Sequence, residues 1–333
     1  MDQPLLLIVP LGVFLISMHG TRLLVTRLAE RQILDHPNDR SSHTAPIPHG
    51  GGLALMVALL PAWAALGLVT GEPAAPLVLI SGLAALLAAV SWTDDLRGLN
   101  PLIRIAAQAI AVAAALIIAP PPGPIFGGLL PPIADLVLAG ILWVWFINLY
   151  NFMDGIDGLT GVQTITIGIG AFVIARKLAF GDTAMILSLT LAAAALGFIR
   201  FNWHPAKIFL GDVGSVPLGF LLGWLLLFLA AKGAWPAAIL LPLYYLADAT
   251  WTLVRRALSG KRIWQAHREH FYQRAVDSGL RHDQVVGIVG VANIFLIALS
   301  IVAARGLPVA AVLGGAAAVT LLLFLLAKGG PTD

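Results

Sequence analysis

The sequence predicts an all-α polytopic membrane protein of about eleven spanning helices, and three observations predict it. Hydrophobic residues fill 59% of the 333 positions and charged residues only 11%, too apolar a balance for a soluble domain. Apolar runs near the roughly 20 residues that a helix needs to cross a bilayer recur at about 4–26, 51–70, 75–92, 102–119, 132–150, 160–175, 183–199, 214–231, 234–254, 284–304 and 306–327. Lysine and arginine are also divided unevenly between the two sets of loops that join these runs, the mark of a fixed orientation.

The first run has no basic segment before it and no small-residue cleavage signal, so it reads as a retained helix rather than a signal peptide. The joins at 70–75, 231–234 and 304–306 leave room only for a turn. Pro120-Pro121-Pro122-Gly123-Pro124 makes a stiff turn between the fourth and fifth runs, and the longest polar stretch, 255–283, is a single loop. With the loops after the first, third, fifth, seventh and ninth helices in the cytoplasm, fifteen of the twenty basic residues lie on that side. Only Arg176, Lys177, Lys232 and Arg305 lie on the other, and Arg22 sits within the first helix. The N-terminus is therefore expected outside and the catalytic loops on the cytoplasmic face. No repeat or linker divides the chain, so residues 1–333 are expected to form one integral membrane domain. The net charge of +3 follows from this topology and calls for no nucleic-acid partner. The absence of cysteine leaves oxygen and imidazole as the only metal ligands.

Five polar clusters stand at the ends of apolar runs on the expected cytoplasmic face. The strongest sets Asn148, Asn151, Asp154 and Asp157 three apart, with Gly155 and Gly158 breaking the helix where the acids occur. Such groups persist near lipid only when paired, solvated or metal-bound; a capped helix end with Asp157 as the cap is the structural alternative. Asp94 and Asp95, followed by Arg97 and Arg104, are adjacent carboxylates that stay ionised comfortably only beside a cation, for which Mg²⁺ is the natural partner. In the loop from Asp35 to Gly52, which carries Arg40 and His43, Gly50-Gly51-Gly52 either offers backbone N–H groups to a phosphate or simply allows close helix packing. The segment Phe201 to Ser215 holds Asn202, Phe209 and Asp212, a carboxylate in a flexible turn with aromatics that stack on a base or belong to an interfacial belt. The last cluster, His267-Arg268-Glu269-His270-Phe271-Tyr272-Gln273-Arg274, lies in a loop of seven basic and three acidic residues. Without a third strong ligand its two histidines suit phosphate better than a transition metal, unless the loop rests on anionic lipid. Asp248, a buried acid, is expected to pair with a loop arginine.

Taken in order, Asp35-x-Pro37-x-x-Arg40-x-x-His43, Gly50-Gly51-Gly52, Asp94-Asp95, Asn148-x-x-Asn151-Phe152-Met153-Asp154-Gly155-x-Asp157-Gly158, Gly211-Asp212-x-Gly214-Ser215 and the 267–274 loop resemble the polyprenyl-phosphate N-acetylhexosamine-1-phosphate transferases. This is the family of the phospho-MurNAc-pentapeptide transferase and the undecaprenyl-phosphate GlcNAc-1-phosphate transferases. The resemblance covers about residues 35 to 274. It implies attack of undecaprenyl phosphate on the β-phosphorus of a UDP-N-acetylhexosamine in the bacterial cytoplasmic membrane, with Mg²⁺, or Mn²⁺ in its place, as cofactor. It further implies that Asp212 is the principal metal ligand and that Asp94 and Asp95 are metal-site or lipid-phosphate-activating acids. Asp154 and Asp157 then position substrate. His267, His270 and Arg274, in the largest basic element on the catalytic face, are expected to meet the donor's diphosphate and sugar. Asn202 and Phe209 meet uridine, Phe209 by stacking; Asn148, Asn151, Arg40 and His43 complete the binding set.

Two departures refine the expectation. Ser41-Ser42 stands where many members have a lysine, and the last loop lacks a three-histidine run. Both point away from the pentapeptide transferase toward the O-antigen and capsule branch, whose donors include UDP-GlcNAc, UDP-FucNAc and UDP-QuiNAc. The oligomeric state, a homodimer included, is left open. A multi-pass secondary transporter is the alternative, although transporters put coupling acids near the bilayer midplane.

Overall fold

The computed structural model describes residues 3–37, 45–69, 74–262 and 267–328. Helix α1 (Gln3–Glu30) leads through two short antiparallel strands, β1 (Leu34–Asp35) and β2 (Ile47–Pro48), into α2 (Gly52–Val69). Helices α3 (Ala74–Arg97), α4 (Pro101–Ile118), α5 (Pro132–Phe152), α6 (Leu159–Lys177), α7 (Asp182–Asn202) and α8 (Asp212–Leu229) follow. A π-helical turn, Ala230–Ala234, precedes α9 (Trp235–Leu240) and α10 (Leu243–Leu258), and the chain closes with α11 (Phe271–Asp277), α12 (His282–Ala303) and α13 (Pro308–Lys328).

Among the described residues nine helices are long and apolar enough to cross a membrane, with Gly52–Leu68 a shorter apolar helix beside them. The expected straight span at 234–254 is replaced by two pieces. Gly233, with φ of 89°, turns the chain back, α9 runs for only six residues, and Pro242, which has no N–H to donate, stands between it and α10. Helix α10 buries Tyr244, Asp248, Thr252 and Arg256, a polar stripe repeating every four residues, and exposes Trp251, Val254 and Leu258. An apolar average over the window hides this division into two faces.

Helix α8 is the centre of the bundle. Of its apolar window, 89% is buried by the rest of the protein, against 17% for α1, which lies at the periphery. Its small residues let neighbours close in: Trp143 of α5 stacks on Phe220 at 4.7 Å, and a Cβ added at Gly223 would lie 2.4 Å from the Trp143 ring. At the polar end a Cβ on Gly52 would fall 2.2 Å from the Cα of Gly214, so α2 and α8 cross in backbone contact. The N–H groups of Gly50 and Gly51 donate to the Phe209 carbonyl and that of Gly52 to Leu210, at 2.8–3.2 Å. Packing, and not phosphate binding, thus explains the triple glycine. Alternating helices bring the ends of α3, α5 and α7 and the starts of α2, α4, α6 and α8 to this one face.

Candidate active site

Asp212 opens α8 directly after Gly211, whose φ of 78° suits glycine. The first N–H groups of a helix lack partners within it, and here Asp95 of α3 provides them. Its two oxygens accept from the N–H of Asp212 at 3.2 Å and of Val213 at 3.1 Å. His49 Nε2 lies 3.2 Å from the same carboxylate. Burial disfavours the charged imidazole, but the bond to Asp95 and the charges of Asp95, Asp35 and Asp212 outweigh it and raise the His49 pKa above its ordinary value.

Asp94 faces a different way. It accepts from the N–H of Leu99 at 2.6 Å and from Arg104 Nη1 at 2.8 Å, and the same Arg104 nitrogen reaches Asp212 Oδ2 at 3.5 Å. Asn151 donates to Asp212 Oδ2 at 3.3 Å and accepts from Ser215 at 2.7 Å. One guanidinium therefore ties the two acids together, while Asp212 Oδ1 accepts no bond among the described residues. A cavity of about 100 Å³ opens here, lined by Ser91, Arg104, Gln108, Asn148, Asn151 and Asp212 together with apolar side chains. Asn148 and Asn151 thus share a helix face, as their spacing predicts.

The turn between α5 and α6 separates its two acids. Asp154, half-buried, is pushed up to about 7 by burial and by the charge of Asp212, against the bond it accepts from Thr160. Asp157 is fully enclosed: its Oδ2 meets His204 Nδ1 at 2.7 Å, His282 Nδ1 at 3.2 Å and the Ala206 N–H at 3.2 Å. Burial opposes ionisation, yet these bonds hold its carboxyl below the usual range. The ligand-type atoms of Asp157, His204 and His282 lie within 4.8 Å of one another. Their separations are hydrogen-bond lengths, and the Asp157 N–H itself meets His282 Nδ1 at 3.3 Å. Asn202 bridges the same region, accepting from the Gly158 N–H at 2.9 Å and donating to the Ile208 carbonyl at 3.0 Å.

Comparison with known proteins matches this region. The family model for glycosyl transferase family 4 matches residues 77–230, from α3 to the end of α8. A decaprenyl-phosphate N-acetylglucosaminephosphotransferase of Mycobacterium tuberculosis is 30% identical over 308 residues, covering 80% of this chain and 74% of that protein. The chain belongs to glycosyl transferase family 4. A probable undecaprenyl-phosphate N-acetylglucosaminyl 1-phosphate transferase of Bacillus subtilis is 28% identical over 288 residues, covering 81% of this chain and 78% of the relative. A phospho-N-acetylmuramoyl-pentapeptide-transferase of Lacticaseibacillus paracasei is 36% identical over 132 residues, covering 38% of this chain and 40% of the relative.

In this member of glycosyl transferase family 4 the last loop is wired differently from expectation. Asp248 pairs with a histidine and backbone N–H groups, not with an arginine: His270 Nδ1 at 3.2 Å, Phe271 N at 3.0 Å and Tyr272 N at 3.3 Å. This buries His270 against α10. The His267 ring is lowered to about 4 by burial and by neighbouring His270 and Arg256, so it is neutral near pH 7. Arg274 stays half-buried over the Phe271 ring at 5.7 Å. Tyr272 donates to the Phe152 carbonyl at 3.0 Å, docking the loop on the α5–α6 turn. Phe209 is half-buried beside the Gly50-Gly51 segment, its N–H donating to Pro48 at 2.8 Å. Arg40 and His43 lie outside the described residues. Gln108 and His282 are site residues that the motifs do not name. Only Gln108 carries a signal in sequence, as the polar interruption of the apolar run 105–119.

Proposed function

We propose that this protein transfers an N-acetylhexosamine 1-phosphate from a UDP-sugar to undecaprenyl phosphate, giving undecaprenyl-diphosphate-sugar and UMP, at a site facing the cytoplasm. The carrying observation is the Arg104 bridge between Asp94 and Asp212 beside a slot lined by both polar and apolar side chains. Such a slot suits a reaction joining a lipid-borne phosphate to a water-borne one. In the reaction an acceptor phosphate oxygen forms a bond to the donor's β-phosphorus and the bond to UMP breaks. Two polyanions must approach each other, so fixed cationic and hydrogen-bonding groups are the expected catalysts.

The residues fit a hard cation. Asp212 and Asp94 are oxygen donors in a chain without cysteine, and Asp212 Oδ1 has capacity to spare. They would hold Mg²⁺, with Mn²⁺ as a substitute, whereas Asp95 spends both oxygens on the start of α8. When bound, the ion neutralises charge on the diphosphate and the departing phosphate. Arg104 orients the two acids, Asn151 fixes the Asp212 carboxylate and Phe209 takes the uracil. The Ser41-Ser42 pair and the altered last loop favour a donor of the O-antigen or capsule kind, such as UDP-GlcNAc, UDP-FucNAc or UDP-QuiNAc.

The test is UMP release by detergent-solubilised protein across a panel of UDP-N-acetylhexosamines. Release is expected only when undecaprenyl phosphate and Mg²⁺ are both present, and EDTA should abolish it. Release without the lipid, or solute uptake into proteoliposomes with no release of UMP, would overturn the reading. No feature of the site favours the transporter.

A further inference from the structure

Gln108 sits in the middle of α4, buried, in a run otherwise made of alanine, valine, leucine and isoleucine. An amide at such a place is costly unless bonded, and its neighbours determine which way it turns. Asn148 Nδ2 lies 2.8 Å from the Val144 carbonyl, which can only accept, so that atom is the nitrogen. The same Nδ2 lies 2.6 Å from Gln108, so the Gln108 atom facing it must be the oxygen. Gln108 Nε2 is then left with no bond among the described residues, and so is Asn148 Oδ1. Arg104, one helical turn before Gln108 and on the same face, uses only Nη1 for its acids, leaving Nε and Nη2 as donors.

All three side chains line the 100 Å³ cavity. It is well below the roughly 300–1,000 Å³ of a drug-sized site, too small for a nucleotide and suited to a single phosphate. Its rim is formed by Pro101, Ile105 and Phe152, all exposed, on helices whose outer faces are apolar. A ligand entering past that rim has a hydrocarbon tail. We propose that this slot seats the acceptor's phosphate monoester, with Gln108 Nε2 donating to it directly alongside Arg104. The inference rests on the proposed function for the identity of the acceptor but is tested by binding alone.

Gln108→Glu and Gln108→Leu separate binding from structure. Glutamate can still accept the Asn148 bond but offers a carboxylate oxygen where the phosphate would meet an amide; leucine loses both. Equilibrium binding of undecaprenyl phosphate, undecaprenol and inorganic phosphate is measured at pH 8 by tryptophan fluorescence. The parent should prefer undecaprenyl phosphate to undecaprenol. Leucine should reduce that preference about tenfold, the worth of one hydrogen bond to a charged group, and glutamate by more. Undecaprenol binding should not change. Inorganic phosphate should compete weakly, and competition as strong as the lipid's would identify the free ion, not the lipid headgroup, as the ligand and overturn the proposal. So would glutamate binding undecaprenyl phosphate as the parent does, since Gln108 would then only hold Asn148. Equal loss for phosphate and alcohol would likewise assign it to packing. If the leucine variant fails to fold, glutamate alone decides. Failure of UMP release in the parent would disprove the proposed reaction without touching this result.

Discussion

Two carboxylates of the same bundle are treated in opposite ways. Asp248 is fully buried and accepts five bonds, from Tyr244, Thr252, His270 and the N–H groups of Phe271 and Tyr272, at 3.0–3.3 Å. Asp212 keeps 27% of its side chain exposed and, among the described residues, accepts only from Asn151 and Arg104, at 3.3 and 3.5 Å, both through one oxygen. A carboxylate whose acceptor sites are filled by its own protein has no capacity left for a ligand and fixes the fold. One that is under-bonded and close to solvent can take on a cation or a substrate. Asp95 stands between the two, with both oxygens committed to the first turn of the helix that carries Asp212.

The largest expected effect breaks the comparison at Asp212. Asp212→Asn keeps the shape and the acceptor oxygen but removes the charge, so UMP release should fall about 100-fold or more, on the scale of losing one preorganised electrostatic group. The thermal unfolding midpoint should stay close to the parent's. A large drop in midpoint would mean that Asp212 is structural after all, and near-normal turnover at saturating Mg²⁺ would remove it from the metal site.

Asp248→Ala tests the other side. It strands several buried donors at once, so the loss should be about 3 kcal/mol or more in stability, read as a lowered denaturation midpoint, with activity falling only in step. Asp248→Asn, which keeps one acceptor oxygen, should lie between. An alanine variant that is as stable as the parent but inactive would make Asp248 a member of the catalytic set.

The contrast also shows what the sequence makes legible. Composition and apolar runs carry the membrane fold, since lipid demands long apolar helices wherever they occur. The clusters at 94–95, 148–157 and 211–215 are visible because polar residues are rare at such places. Partnerships are not. His282 lies 125 residues from Asp157 and His270 lies 22 from Asp248, and nothing local marks either pair. The division of α10 into a polar buried face and an apolar lipid face is likewise lost in a window average, and with it the break at Pro242. Adjacent Asp94 and Asp95 read as one metal-binding pair, yet successive helical positions face different neighbours.

A smaller effect is expected at Phe209. If its ring stacks on uracil, Phe209→Ala should weaken donor binding by about 1–3 kcal/mol and leave binding of undecaprenyl phosphate untouched. Separate titrations of UDP-sugar and lipid check this. A defect confined to the lipid would place Phe209 on the acceptor side.

The smallest and most discriminating effect belongs to the last loop, where the same contrast recurs among cations. His270 is committed to Asp248, and Arg268 pairs with Asp277 at 2.6 Å. His267, with its pKa lowered to about 4, carries no charge between pH 6 and pH 8. Within 267–274, Arg274 remains as the charged group with no acidic partner among the described residues, held over Phe271. Arg274→Ala should therefore raise the KM for the UDP-sugar about tenfold, the scale of one charge-assisted hydrogen bond, whereas His267→Asn should leave that KM flat across the same pH range. The sign of any departure is informative. Because a lowered pKa means that the protein resists protonating His267, acid should not strengthen donor binding until pH approaches 4. A parent whose donor KM falls as pH drops from 7 to 6, with the fall abolished by His267→Asn, would show a phosphate raising the ring's pKa by direct contact. His267 would then move from the committed groups to those that meet the substrate.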